Sequence, residues 1–252
     1  MFGLRNYSGS CWVNACLQSV FRIPDVQERY TESKHDPDNP VDVAMYNIWS
    51  HKGETLPQLF DVIRSEMMPA GKGLGDSHEL FVYLCDKLPF LDKLCRFKIA
   101  DSIQCKNCGK KEIKEDLVTE FSLSSDGNRV PISQCIMNSV TPHDISDWIC
   151  EKCKAKGCTK QLLIGSFPQV MAFHMVTTES SVEYSSILCL NKIQYALLSV
   201  CCYNGAHWWV YGRDSVGGSW YTLDDGHAVE HGPKEFPLSS KMRLLIYYRL
   251  NN

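Results

Sequence analysis

Residues 1–24 read MFGLRNYSGSCWVNACLQSVFRIP. The first ten are mostly polar and broken by Gly3 and Gly9. Val13, Leu17, Val20 and Phe21 then recur at helical spacing until Pro24 stops the pattern. Cys11 therefore falls in the first turn of a helix, where the dipole and free N–H groups favour a thiolate. Gly9 and Ser10 before it leave room for a substrate backbone. Asn6, a little upstream, carries an amide that can meet a developing oxyanion, a contact worth about 2.7–4 kcal/mol. On these residues alone Cys11 is equally well a buried helix cysteine like Cys16.

At 252 residues the chain is long enough to bury a substantial core. Charged residues make up 22% and the net charge is -3, which gives no reason to expect nucleic acid or an acidic membrane as partner. No secretory signal is visible and no apolar run approaches the roughly 20 residues that span a bilayer. The chain reads as soluble, monomeric and cytoplasmic or nuclear. Thirteen cysteines, an odd number, do not read as a disulfide framework. Cys16, Cys85, Cys95, Cys189, Cys201 and Cys202 sit among apolar residues as small hydrophobes, while Cys135 and Cys158 stay unassigned.

Helical patterns dominate the first 90 residues. After the polar loop TESKHDPDNP, a helix is predicted from Pro57 to Met68. In GKGLGDSHELFVYLCDKLP, Asp76 and Glu79 have capping-box spacing, and Leu80, Phe81, Leu84 and Leu88 form one face. From about 95 to 200 short β-like runs alternate with polar breaks. The last third is rich in strand formers: IQYALLSVCCY, HWWVYG, SWYTL and MRLLIYYRL. The expected architecture is a helical lobe, a β-rich lobe and a metal-pinned projection.

That projection is expected from two knuckles, QCKNCGKK with Cys105 and Cys108, and WICEKCKAKG with Cys150 and Cys153. Paired knuckles suit one structural zinc ion with four thiolates and no open position for water. Cys158 is a possible substitute ligand. The alternative is two unrelated turns with incidental cysteines.

A thiol nucleophile needs a base, and NGAHWWVY puts His207 at the entry of a strand. After the turn DSVGGS comes WYTLDD, so a hairpin can set Asp224 or Asp225 beside that imidazole. His227 and His231 read as loop residues, His78 as a helix or core residue, and His174 as a half-buried strand residue. Trp208, Trp209, Trp220 and Tyr221 read mostly as core.

These stretches, in this order, resemble the ubiquitin-specific proteases, which are papain-like cysteine proteases. GLRNYSGSCWVNACLQ resembles the family's cysteine box, GDSHELFVYLCDKL its Asp-Ala-x-Glu-Phe box, GAHWWVYGRDSVGGSWYTLDD its histidine box and RLLIYYRL its closing strand. The resemblance implies an α+β right-hand fold: a helical thumb (1–95), mainly zinc-bearing fingers (96–175) and a mainly β-rich palm (176–252). It implies Cys11 as nucleophile, His207 as general base, Asp224 orienting it, with Asp225 as runner-up, and Asn6 as oxyanion donor. The implied reaction is hydrolysis after the C-terminal glycine of ubiquitin, by a minimal enzyme or an excised catalytic domain.

Some residues depart from the family pattern. Trp12 replaces Tyr or Phe, Ala206 and Trp208 replace the Gly and Tyr flanking the histidine, and Leu74 and Gly75 stand where glutamines are usual. VMAFHMVTTES lacks a closing Arg-Phe. Cys-Trp, the missing Arg-Phe and the LGD run are similar to the ubiquitin-specific-peptidase-like SUMO isopeptidases, so SUMO is the alternative modifier. A binding module that grips a modifier without cleaving it and a nucleic-acid-binding zinc ribbon are the other readings. The slightly negative charge speaks against the last.

Overall fold

Proline decides where several helices begin. The computed structural model describes residues 1–67, 75–125, 130–176, 182–233 and 237–250. After helix α1 (Cys11–Val20), Pro24 does more than stop a pattern, because it is the first residue of α2 (Pro24–Thr31). Pro40, in a stretch read from sequence as loop, opens α3 (Pro40–Ser50), whose Asn39 cap accepts the N–H groups of Val41 and Asp42. Proline suits that first position because its missing N–H would have had no helical partner there. The predicted helix Pro57–Met68 is α4 (Leu56–Met67), and Met68 lies outside the described residues. Next come α5 (Ser77–Lys87), capped by Asp76 through the His78 N–H, and α6 (Pro89–Cys95).

The chain then turns to strands: β1 (Phe97–Cys105), β2 (Lys111–Val118), β3 (Phe121–Leu123) and β4 (Val130–Pro131). After α7 (Ile132–Val140) come β5 (His143–Ile149), β6 (Lys156–Ile164), β7 (Val170–Met175), β8 (Val182–Glu183) and β9 (Ile187–Leu190). The last are β10 (Ile193–Tyr203), β11 (Trp208–Arg213), β12 (Trp220–Asp224), β13 (His227–Gly232) and β14 (Met242–Arg249). His227 and His231, expected in a loop, lie on β13, which pairs with β12 across the turn at Asp225–Gly226.

Two sheets organise most of these strands, while β4 and β8 pair as a separate two-stranded sheet. The larger runs β13-β12-β11-β10-β14-β7-β3, with β9 also on β10. The smaller runs β2-β1-β6-β5. β3 and β7, which fall inside 96–175, therefore belong to the larger sheet. Its central strand β10 is buried along nearly its whole length. A strand covered on both faces must be continuously apolar, which is why IQYALLSVCCY shows no alternation. Side chains still alternate between two cores. Ala172, Cys201, Leu244 and Ile246 join the α1–α6 core, while Phe173, Cys202, Leu245 and Tyr247 join a second core with Phe97 and α7. Cys135 lies in that second core, and Cys189, expected to be buried, is exposed on β9.

Candidate active site

The site is built where α1 packs on β11. The segment before α1 is folded by Asn6, whose Oδ1 accepts the N–H groups of Gly9 and Ser10 at 3.1 and 3.0 Å. Ser8 and Gly9 take positive φ (51° and 85°), and this tight turn delivers Cys11 to the helix start. Ser10, expected at the substrate surface, is fully buried, and its hydroxyl accepts the N–H of Tyr7 at 2.8 Å.

Cys11 is 4% exposed. Burial pushes its thiol up, and the carboxylate of Asp225 adds to that. The backbone N–H groups of Trp208 and Trp12 pull the other way without prevailing. The helix start does favour the thiolate as expected, but desolvation of so enclosed a sulfur outweighs it.

His207 is fixed by an Asx turn absent from the sequence reading. Asn204 Oδ1 accepts the N–H groups of Ala206 and His207 at 3.0 and 2.9 Å, with Gly205 at φ 100°. The visible signal was the YNG turn. His207 Nε2 lies 2.7 Å from Asp224 Oδ1 and 4.0 Å from Asp225 Oδ2. With Nε2 engaged, Nδ1 is the nitrogen left to receive a proton from a thiol.

The neighbouring aspartates have separate jobs. Asp224 is about half exposed and faces the imidazole. Asp225, with φ 50°, turns inward to accept Asn6 Nδ2 at 3.0 Å and Asn14 Nδ2 at 2.7 Å. Asn14, buried on α1, also donates to the Leu4 carbonyl at 2.9 Å. The Leu4 N–H closes the clasp on the Asp225 carbonyl at 2.8 Å. A Cβ on Gly3 would stand 2.2 Å from the Gly226 carbonyl oxygen, so only glycine permits this approach. Asn14 was missed by sequence reasoning as a site residue. Its place three residues after the cysteine, inside the stretch that resembles the cysteine box, was the available signal.

A second centre lies at the tips of the smaller sheet. Cys105 and Cys108 close the β1–β2 turn, and Cys150 and Cys153 the β5–β6 turn. Their four sulfurs lie within 4.8 Å of one another, with Cys105–Cys153 and Cys108–Cys150 each at 3.7 Å. Four thiolates around zinc at 2.3 Å stand about 3.8 Å apart on a tetrahedron, which matches those two spacings, so the four cysteines suit that ion. Positive φ at Gly109 and Lys154 shapes the two knuckles. Cys158 is not part of the cage. It pairs across the strands with Cys105 and is fully buried.

The sequence profile of the ubiquitin carboxyl-terminal hydrolases matches residues 2–247. The chain belongs to that family. It is 22% identical to probable ubiquitin carboxyl-terminal hydrolase 8 of Schizosaccharomyces pombe, covering 98% of this chain and 64% of that protein. It is 26% identical to human ubiquitin carboxyl-terminal hydrolase 24, covering 69% of this chain and 8% of that protein. The chain thus spans less than two thirds of the length of either relative. Two solved structures share its fold across the whole chain and 69% of theirs. The yeast SAGA deubiquitinating module superposes with a TM-score of 0.84 at 15% identity. The SAGA module with Ubp8 bound to monoubiquitin superposes with 0.82 at 17%.

The fold is therefore the α+β right hand of this family. The relatives reported are named for ubiquitin, and the SUMO reading gains no support from them. One departure that suggested SUMO has a packing cause. A Cβ on Gly75 would lie 2.7 Å from the Trp12 indole, so the larger ring at 12 occupies room that the side chain at 75 gives up. Leu74 and the segment 177–181, where the closing Arg-Phe is missing, lie outside the described residues.

Proposed function

We propose that this chain is the catalytic domain of a thiol-dependent deubiquitinase that cleaves the bond after the C-terminal glycine of ubiquitin. The observation that carries the reading is the His207–Asp224 bond of 2.7 Å at the edge of β11, the strand whose Trp208 N–H reaches Cys11. His207 takes the Cys11 proton as Sγ attacks the glycine carbonyl carbon, and the oxyanion meets backbone N–H groups at the start of α1. Asn6 Nδ2 keeps one hydrogen for that oxyanion while Asp225 accepts the other. Collapse expels the target amine, which receives the proton from His207 and leaves a thioester. Water, deprotonated by His207, then releases the ubiquitin carboxylate and frees the thiol. We infer that one structural zinc ion fills the four-thiolate cage and holds the β1–β2 and β5–β6 tips in register. A reducing compartment, cytoplasm or nucleus, suits a chain with thirteen cysteines, four of them gathered in a thiolate cage.

The test is ubiquitin carrying a C-terminal electrophile. Wild type should form a covalent adduct on Cys11, Cys11→Ala none, and Asp224→Ala should cut the labelling rate roughly 10²-fold. Labelling that survives Cys11→Ala would overturn the assignment. Tight ubiquitin binding without any adduct would leave a binding module.

A further inference from the structure

One further cluster of metal-type ligands gathers among the described residues, apart from the cleft and the four-thiolate cage: His78, Glu120 and His174. They come from three elements. His78 lies in the first turn of α5, Glu120 in the link from β2 to β3, and His174 on β7. One ligand atom from each lies within 4.8 Å of the others. The two imidazoles stack with centroids 3.5 Å apart and planes 7° from parallel. His78 Nε2 is shielded from solvent, has no hydrogen-bond partner, and stands 3.5 Å from Glu120 Oε1. Ser122 Oγ donates to Glu120 Oε1 at 3.1 Å and lies 3.4 Å from His174 Nδ1, holding the carboxylate at the edge of the stack.

Cleavage chemistry at Cys11 uses none of these groups. A buried nitrogen without a partner is destabilising, and face-to-face stacking is a poor arrangement for two aromatic rings. A bound cation removes both costs by taking up the nitrogen lone pairs. Each imidazole lone pair lies in its own ring plane, so to share one ion the two rings must swing out of the stack until their nitrogens converge on the Glu120 side. The charge of Arg243 opposes a cation here, and Glu120 and Asp76 oppose Arg243.

We propose that His78, Glu120 and His174 form a second metal site, distinct from the four-thiolate centre, for a divalent transition ion of the zinc class. Imidazole with carboxylate suits such ions, and three protein ligands leave a fourth position for water. The ion ties α5 to β7, and so the helical layer to the larger sheet. Its effect reaches the nucleophile helix, because Ser77, next to His78, donates its hydroxyl to the Trp12 carbonyl at 2.7 Å.

The experiment is metal analysis of the whole chain equilibrated with excess zinc, then with cobalt. Wild type should hold a second equivalent beyond the thiolate-bound one, and His78→Gln and His174→Gln should each hold only the first. Cobalt should give sulfur-to-metal charge transfer in all three proteins, with additional weak d–d bands in wild type alone. Far-UV circular dichroism identifies a variant that fails to fold. His78→Gln, a partly exposed helical position, is the one expected to keep wild-type structure. A single equivalent in wild type under excess zinc, or a second equivalent that persists in folded His78→Gln, would overturn the proposal.

Discussion

At the scale of single residues, the site turns on how two opposed effects on Cys11 balance. The first turn of α1 and the Trp208 N–H stabilise a thiolate, whereas burial and the Asp225 carboxylate destabilise it more. The folded-state pKa therefore lies above that of a free thiol. For such a group the stability contribution is present below the unfolded pKa and is lost as pH rises through the alkaline range. The same sign governs reactivity. In ubiquitin-free protein, iodoacetamide alkylation of the Cys11 peptide, followed by mass spectrometry, should keep rising beyond about pH 9. A rate that levels off below pH 7 would show instead that a thiolate–imidazolium pair with His207 already exists without substrate. Choosing between the two carboxylates was also beyond the sequence, since Asp224 and Asp225 are adjacent and both follow the same hairpin. The backbone decides, because the positive φ of Asp225 sends its side chain toward Asn6 and Asn14 and leaves Asp224 facing the imidazole.

At the scale of elements, the contact of α1 with the start of α5 shows how two departures from a family pattern make one fitted surface. Trp12 is almost fully buried, and its ring fills the space where a Cβ at 75 would have to go. Gly75→Gln should destabilise the protein by about 1–3 kcal/mol through overpacking. Combining it with Trp12→Tyr should recover part of that loss, as a double-mutant cycle from urea unfolding would measure. Additive losses would mean that the two positions do not share this space. The elements legible in the sequence were those with an unbroken pattern: α1, the Leu80–Leu88 face of α5, and the strands of the last third. α2 and α3 were hidden because their prolines read as breaks, and only Asn39, capping α3, marked a start. β13 was hidden because its side chains are largely exposed at a sheet edge, so HAVEHG carries no hydrophobic period.

At the scale of the whole molecule, the two sheets depend on different sources of stability. The central strands of the larger sheet are packed on both faces by apolar side chains, so their core does not depend on an ion. The smaller sheet is thin on its outer strands: β2 is exposed along most of its length, with Ile113 and Leu117 open to solvent, and β5 is similar. The sequence announced the four-cysteine cluster more clearly than any other feature, because thiolate coordination demands a fixed spacing whatever the surrounding fold, whereas thumb and palm contacts join residues some 200 positions apart. Binding of a structural zinc to four thiolates supplies about 10–16 kcal/mol in small peptide systems. Most of the order at the β1–β2 and β5–β6 tips should therefore come from that ion. Stripping it with a strong chelator at neutral pH should abolish hydrogen-exchange protection around residues 103–112 and 149–159, while amides of β10 and β14 stay protected. Ubiquitin affinity should fall with the first group, and a small alkylating reagent should reach Cys11 at an unchanged rate. If β10 and β14 lost protection together with the tips, the two sheets would be one cooperative unit, and the zinc cage would support the catalytic cleft as well as the fingers.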